Sequence, residues 1–186
     1  MRFSKSYVVK KRILDISLSY IGLICSSPVW VLFALAIFIE AGRPIFYIQE
    51  RVGKGGKLFK AIKFRTMGYK NQQARLAAFL RKSALDELPQ LINIAKGEMS
   101  FVGPRPLIPQ EVEPAGDTAL RLSVLPGLTG VAQLMASKNA PFPEKLKHDL
   151  WYIRNQSLAL DSMLILKSFW ISFSRRWDKV SRATST

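Results

Sequence analysis

Asp86 and Glu87 stand side by side in SALDELPQ, and a short way downstream Arg105 lies between two prolines in GPRP, in a chain whose net charge is +15. Neighbouring carboxylates without a histidine have three common chemical uses. They hold a divalent metal, one of them attacks phosphorus as a nucleophile, or they flank a glycosidic bond. Paired glycosidase acids stand about 5 Å or more apart across the sugar, and adjacent residues usually splay away from that geometry. The first two uses combine: one carboxylate attacks a phosphoryl group while its neighbour and Mg²⁺ neutralise charge. A structural role competes with these, because Ser83 with Asp86 three residues on has the spacing of a capping box. Pro89 fits as the first residue of a helix over 89–96 closed by Gly97, which leaves the acids just before a helix N-terminus. The segment GEMSFVGPRPLIP is too rich in proline for a helix or central strand, so Arg105 is expected on a stiff loop.

Other chemistries lack their residues. The sequence contains no P-loop, no G-x-G-x-x-G and no nucleophile elbow. Its single cysteine, Cys25, allows no internal disulfide, and its single histidine, His148, excludes multi-histidine zinc sites. Residues 1–85 carry sixteen Lys/Arg against three acids, whereas residues 86–186 are nearly balanced. Such a front half expects an anionic partner: a phosphorylated ligand, an acidic lipid or a nucleic acid. Nucleic acid is the weakest of these, since no recognised binding signature appears and the basic segment adjoins a membrane anchor.

That anchor is residues 13–39, whose only charge is Asp15. A helix from Ile16 to Ile39 would be about 36 Å long, enough to cross a bilayer. Both flanks are basic, and the positive-inside rule draws both to the cytoplasm, which one straight span cannot satisfy. Ser27 and Pro28 near the middle predict a kink, read as a helix–break–helix that dips into the bilayer and returns in preference to a kinked single span, the serine hydroxyls serving carbonyls freed by the proline. Residues 43–67 predict two short strands around Gly53–Gly56. The second strand ends in a basic cluster with Lys63 and Arg65, suited to phosphate or to an ordinary exposed hairpin edge. Helices are expected over 70–82 and 144–155. A further helix over 157–177, apolar nearly all round, belongs in the core or the membrane interface. The expected fold class is α+β and mainly helical. It has an anchor (1–42) and a small catalytic domain with interfacial helices (43–186), built as one continuous unit.

Taken in order, KKRILD, SSP, IFYIQERVGKGGKLFKAIKFRTM, LDELPQLINIAKGEMSFVGPRP, PGLTGVAQ and DLWYIRNQSLALD resemble the small monotopic phosphoglycosyl transferases, or bacterial sugar transferases. The resemblance implies that Asp86 attacks the β-phosphate of a UDP-sugar, releasing UMP. A polyprenyl phosphate of the undecaprenyl type would then take the phosphosugar from the carboxylate. Glu87 would help hold Mg²⁺ with Asp86, and Arg105, Lys63 and Arg65 would bind phosphate. Asp149 and Tyr152, a D-x-x-Y pattern, would line the nucleotide side, and Ser27 and Pro28 match the family's helix break. It further implies the cytoplasmic face of the bacterial inner membrane, contact with anionic lipid, and partnership with a second copy or a pathway glycosyltransferase. The rival expectation is a non-catalytic membrane-surface module that binds anionic lipid through its basic half.

Overall fold

In the computed structural model residues 4–67, 75–112, 119–137 and 139–173 are described. Helix α1 (Lys5–Ala41) runs through the whole apolar segment with Pro28 inside it. Where the sequence predicts a break at Ser27 and Pro28, the helix continues. Pro28 has no N–H to offer the Ile24 carbonyl one turn back. The Ser27 hydroxyl donates to that carbonyl at 2.8 Å, and the Ser26 hydroxyl donates to Gly22 O at 2.6 Å. The freed acceptor is thus satisfied inside the helix, which offsets part of the proline's cost.

Helix α1 has two faces. Asp15, Ser19 and Ile37 are buried, Gly22 lies against Leu91, and Trp30 and Phe33 pack beside Ile37. With separations of four, three, eight, three and four residues, these positions form one stripe along the helix. Ile21, Ile24, Val31, Leu32, Leu35 and Ile39 are exposed on the other side. The sequence treats the run as uniformly apolar; the structure shows that one stripe of it belongs to the protein core.

Strands β1 (Phe46–Val52) and β2 (Leu58–Phe64) form the expected antiparallel hairpin, with Phe46 opposite Phe64. Phe64 is buried among Trp30 and Phe33 of α1, its ring centroid 5.6 Å and 5.9 Å from theirs. Helix α2 (Arg75–Lys82) follows, and residues 70–74 of the helix expected there lie outside the described residues. Ser83 does not cap the turn after it; its hydroxyl donates back to Phe79 O and Leu80 O at the end of α2.

Helix α3 (Gln90–Lys96) closes at Gly97, whose φ of 86° is the left-handed conformation glycine adopts most freely. Arg12 of α1 donates to Ile94 O and Ala95 O at that end, placing a cation on the negative pole of the helix. The Asn93 side chain ties α3 to β2 by donating to Lys60 O and accepting from Ile62 N.

The segment before GPRP, expected as loop, contains β3 (Ser100–Val102), which pairs in parallel with β4 (Gly127–Thr129) after the short helix α4 (Pro109–Val112). Short helix α5 (Val131–Met135) and helices α6 (Phe142–Asn155) and α7 (Leu158–Phe173) complete the described chain. Val102, Leu134, Tyr152, Ile153, Leu164 and Ile171 make the core beneath the second sheet. Opposite Leu164 and Ile171, α7 exposes Met163, Leu166, Phe169 and Trp170. Residues 174–177 of that expected helix lie outside the described residues. The architecture is mostly helical with two small sheets, in line with the α+β expectation.

Candidate active site

A single helical turn, Leu85–Glu87, carries the two acids between α2 and α3. Its preceding residue, Ala84, has φ 56° and ψ 18°, the left-handed conformation that a side chain disfavours. That backbone reversal lets the turn leave α2 and enter α3 within a few residues. Burial of Gln90, Leu91, Asn93 and Ile94 fixes α3 beneath it.

The acids are neighbours in different electrostatic states. Glu87 pairs with Lys63 Nζ at 2.5 Å, and Arg105 lies 3.9 Å from the same carboxylate oxygen. Asp86 has no ion pair among the described residues. Partial burial, with the Glu87 charge adding to it, pushes its carboxyl up to about 6, against the pull of Lys63 and Arg81. A carboxylate in that state is weakly compensated and more basic than usual, as a nucleophile should be.

A pocket opens beside Glu87, and its walls include Lys63, Glu87, Gln90, Arg51, Arg105 and Gln133; Asp86 adjoins it in sequence but is not one of its walls. Three cations face one carboxylate that is already paired, so the pocket favours an anionic occupant carrying more than one charge. Arg51 is the member missed in the sequence, where it reads as one more basic residue of the hairpin. Its guanidinium is held by Pro106 O at 3.0 Å and Gln49 Oε1 at 2.6 Å. Burial and the nearby Arg105 charge lower its pKa.

The remaining expected residues go elsewhere. Arg65 turns away from the pocket and donates to Ala41 O and Gly42 O, closing the C-terminal end of α1. The carbonyls of a helix end thus engage the guanidinium expected to grip phosphate. Asp149 and Tyr152 do not line the pocket either. Asp149 is buried in an ion pair with Arg121 at 2.8 Å, and burial raises its carboxyl against the lowering effect of Arg121. Tyr152 is 2 % exposed; its hydroxyl contacts Asp161 at 2.7 Å and Val102 O at 3.2 Å. Asp161, itself fully buried, also accepts from Tyr7 and Lys11 at 2.8 Å each. The D-x-x-Y residues, both on α6, thus bond within the framework to Arg121, β3 and α7. Ser27 and Pro28 lie in α1, serving its backbone as described above.

Among the described residues no group of three or more metal-type side chains forms. Two adjacent carboxylates remain. This donor set suits Mg²⁺, which usually takes one or two protein carboxylates and fills its shell with water and substrate phosphate oxygens.

The sequence profile of the bacterial sugar transferase family matches residues 6–175. An exopolysaccharide production protein, ExoY, of Sinorhizobium fredii is 33% identical, over 86% of this chain and 84% of its own length. The undecaprenyl-phosphate galactose phosphotransferase of Salmonella typhimurium is 33% identical over 85% of this chain but 39% of its own. A UDP-N-acetylgalactosamine-undecaprenyl-phosphate N-acetylgalactosaminephosphotransferase of Aeromonas hydrophila is 34% identical over 89% of this chain and 44% of its own. The chain thus spans less than half the length of these two phosphotransferases.

Proposed function

We propose a function from the premise that this chain belongs to the bacterial sugar transferase family, whose profile covers most of it. The chain is a phosphoglycosyl transferase that moves a sugar 1-phosphate from a UDP-sugar to a polyprenyl phosphate of the undecaprenyl type, an early membrane step in glycoconjugate assembly. The observation that carries this reading is the division between the two acids. Glu87 is paired with Lys63 and lines a pocket that also bears Lys63, Arg51 and Arg105, while the adjacent Asp86 has no ion pair among the described residues and a raised carboxyl.

In the first half-reaction an Asp86 carboxylate oxygen bonds to the β-phosphorus, and the bond from that phosphorus to the bridging oxygen breaks. UMP departs with the bridging oxygen, leaving the phosphosugar on Asp86 as an acyl phosphate. Lys63, Arg51 and Arg105 hold the diphosphate oxygens and stabilise the charge that gathers on them. In the second half-reaction a polyprenyl phosphate oxygen attacks the same phosphorus, and Asp86 leaves as a carboxylate. The two half-reactions alternate in a ping-pong cycle. Asp86 and Glu87 would hold Mg²⁺, which when bound supplies further neutralisation of phosphate charge.

The lipid acceptor requires the site to stand at a bilayer surface. We assign α1 a course that enters and leaves the cytoplasmic leaflet of the inner membrane, supported by its basic flanks and by its two ends being tied to one body. Lys11 bonds Asp161 near the start, and Arg65 closes the end. The basic front half then faces anionic headgroups.

A UMP-release assay over a panel of UDP-sugars, with and without polyprenyl phosphate, tests the reading. Wild-type protein with Mg²⁺ is expected to release UMP in an amount matching the enzyme before acceptor is added, and Asp86→Asn to release none. UMP release by Asp86→Asn at a rate near wild type would sink the nucleophile assignment.

A further inference from the structure

Arg121 has no part in the chemistry above, yet among the described residues it is one of the most deeply placed cations, only 6% exposed. It occupies the turn Arg121–Ser123 that leads towards β4. Its Nε donates to Asp149 Oδ2 on α6 at 2.8 Å, and its Nη2 donates to the main-chain carbonyl of Arg105 at 2.7 Å. The Phe142 ring covers the guanidinium, with Cζ 5.7 Å from the ring centroid. A buried charge costs several kcal/mol unless it is paired and bonded. Here the pairing is spent on one point of the backbone, the carbonyl of the residue whose side chain borders the pocket.

The arrangement has directional content. Pro104 and Pro106 restrict the backbone on either side of Arg105, and Gly103 N donates to Thr129 O at 3.0 Å. The side chain of Arg105 is half exposed, and among the described residues its ion-pair partner is the Glu87 carboxylate, at 3.9 Å. Its aim therefore depends on how its main chain is held, and Arg121 supplies the side-chain bond to that main chain. Lysine cannot replace it, because one ammonium lacks the fork that reaches Asp149 and the Arg105 carbonyl in fixed directions.

We propose that Arg121, clamped by Asp149, is a positioning residue for the UDP-sugar phosphates, acting through the main chain of Arg105. This inference rests on the reading that Arg105 binds those phosphates. Loss of one hydrogen bond of this kind corresponds to roughly a tenfold change in the affinity it supports.

The test uses the full-length protein in detergent or nanodiscs and compares Arg105→Ala, Arg121→Lys, Asp149→Asn and the double variant Arg105→Ala/Arg121→Lys. UMP release is measured against UDP-galactose and UDP-N-acetylgalactosamine, and hydrogen exchange is followed across 100–108. Arg121→Lys is expected to raise KM roughly tenfold while kcat changes less than about threefold. Exchange should quicken around 103–107 and stay unchanged in α3. The double variant should be no slower than Arg105→Ala alone, since Arg121 then has nothing left to aim. A merely structural role would instead lower kcat through a smaller active fraction and leave KM alone. That result, or additive losses in the double variant, would overturn the inference while leaving the phosphate role of Arg105 intact. Wild-type kinetics in Arg105→Ala would overturn the phosphate role itself, and the inference with it.

Discussion

Asp86 and Glu87 show how two identical functional groups on adjacent residues acquire different work. In the proposed reaction the carboxyl of Asp86, raised to about 6, must be ionised to attack. Activity is therefore expected to fall as pH drops through 6, approaching tenfold per unit below it in a kcat/KM profile. The neighbours set where that limb lies. Lys63 lowers the pKa of Asp86 and Glu87 raises it, so Lys63→Met should move the acid limb to higher pH and Glu87→Gln to lower pH. The same shift has a cost in stability. The folded protein holds the Asp86 proton more tightly than the unfolded chain, whose value is near 3.8. That contribution is complete below pH 3.8 and is lost as pH rises through 6. Thermal unfolding of Asp86→Asn at pH 8 should therefore show it more stable than the parent by about 1–2 kcal/mol, after discounting for solvent at this partly exposed group. The gain should largely vanish by pH 4.

At the scale of elements, the pocket depends on the start of β4 and the segment just after β3 meeting too closely for side chains. A Cβ on Gly127 would collide with the Gly103 backbone, and one on Gly103 with Leu125 O. Gly127→Ala is expected to destabilise the fold by about 2–3 kcal/mol, measured by denaturant unfolding, because backbone cannot yield as a side chain can. The sequence made the hairpin, α3 with its closing Gly97, and the acids before it legible, since each is written in local pattern. It hid whatever depends on distant partners. Arg65 reads as a phosphate ligand in KFRT, and its bonds to the carbonyls at the end of α1 are not announced by any local pattern. Arg121 and Asp149 stand 28 positions apart, and nothing local to either announces the other. Strand β3 escaped notice because a three-residue strand beside GPRP has no period to detect.

For the whole molecule, the stripe on α1 weighs most. Asp15 accepts from Phe101 N at 3.0 Å, Lys11 meets Asp161 on α7, and Trp30 and Phe33 enclose Phe64 on the hairpin. A perpendicular span across the bilayer would drag this bonded surface into hydrocarbon, where its polar groups would be costly. Single cysteines at position 4 and at position 139, in a Cys25→Ala background, are accordingly expected to be labelled from the same side of the membrane. Labelling from opposite sides would exclude the dipping course. Removing the tie should be expensive as well. Asp161→Ala strands Lys11 and two tyrosine hydroxyls, and is expected to cost about 3–5 kcal/mol in thermal unfolding.

The bond between Lys11 and Asp161 spans 150 residues of chain. During synthesis the amino-terminal helix reaches the lipid long before its aspartate leaves the ribosome, so for most of translation the ammonium has only headgroups and water for company. Closure of this contact is consequently a late act of assembly, and a nascent chain halted ahead of α7 would be membrane-bound yet unlocked. The finished fold differs from such a chain in this contact between its first helix and its last described one.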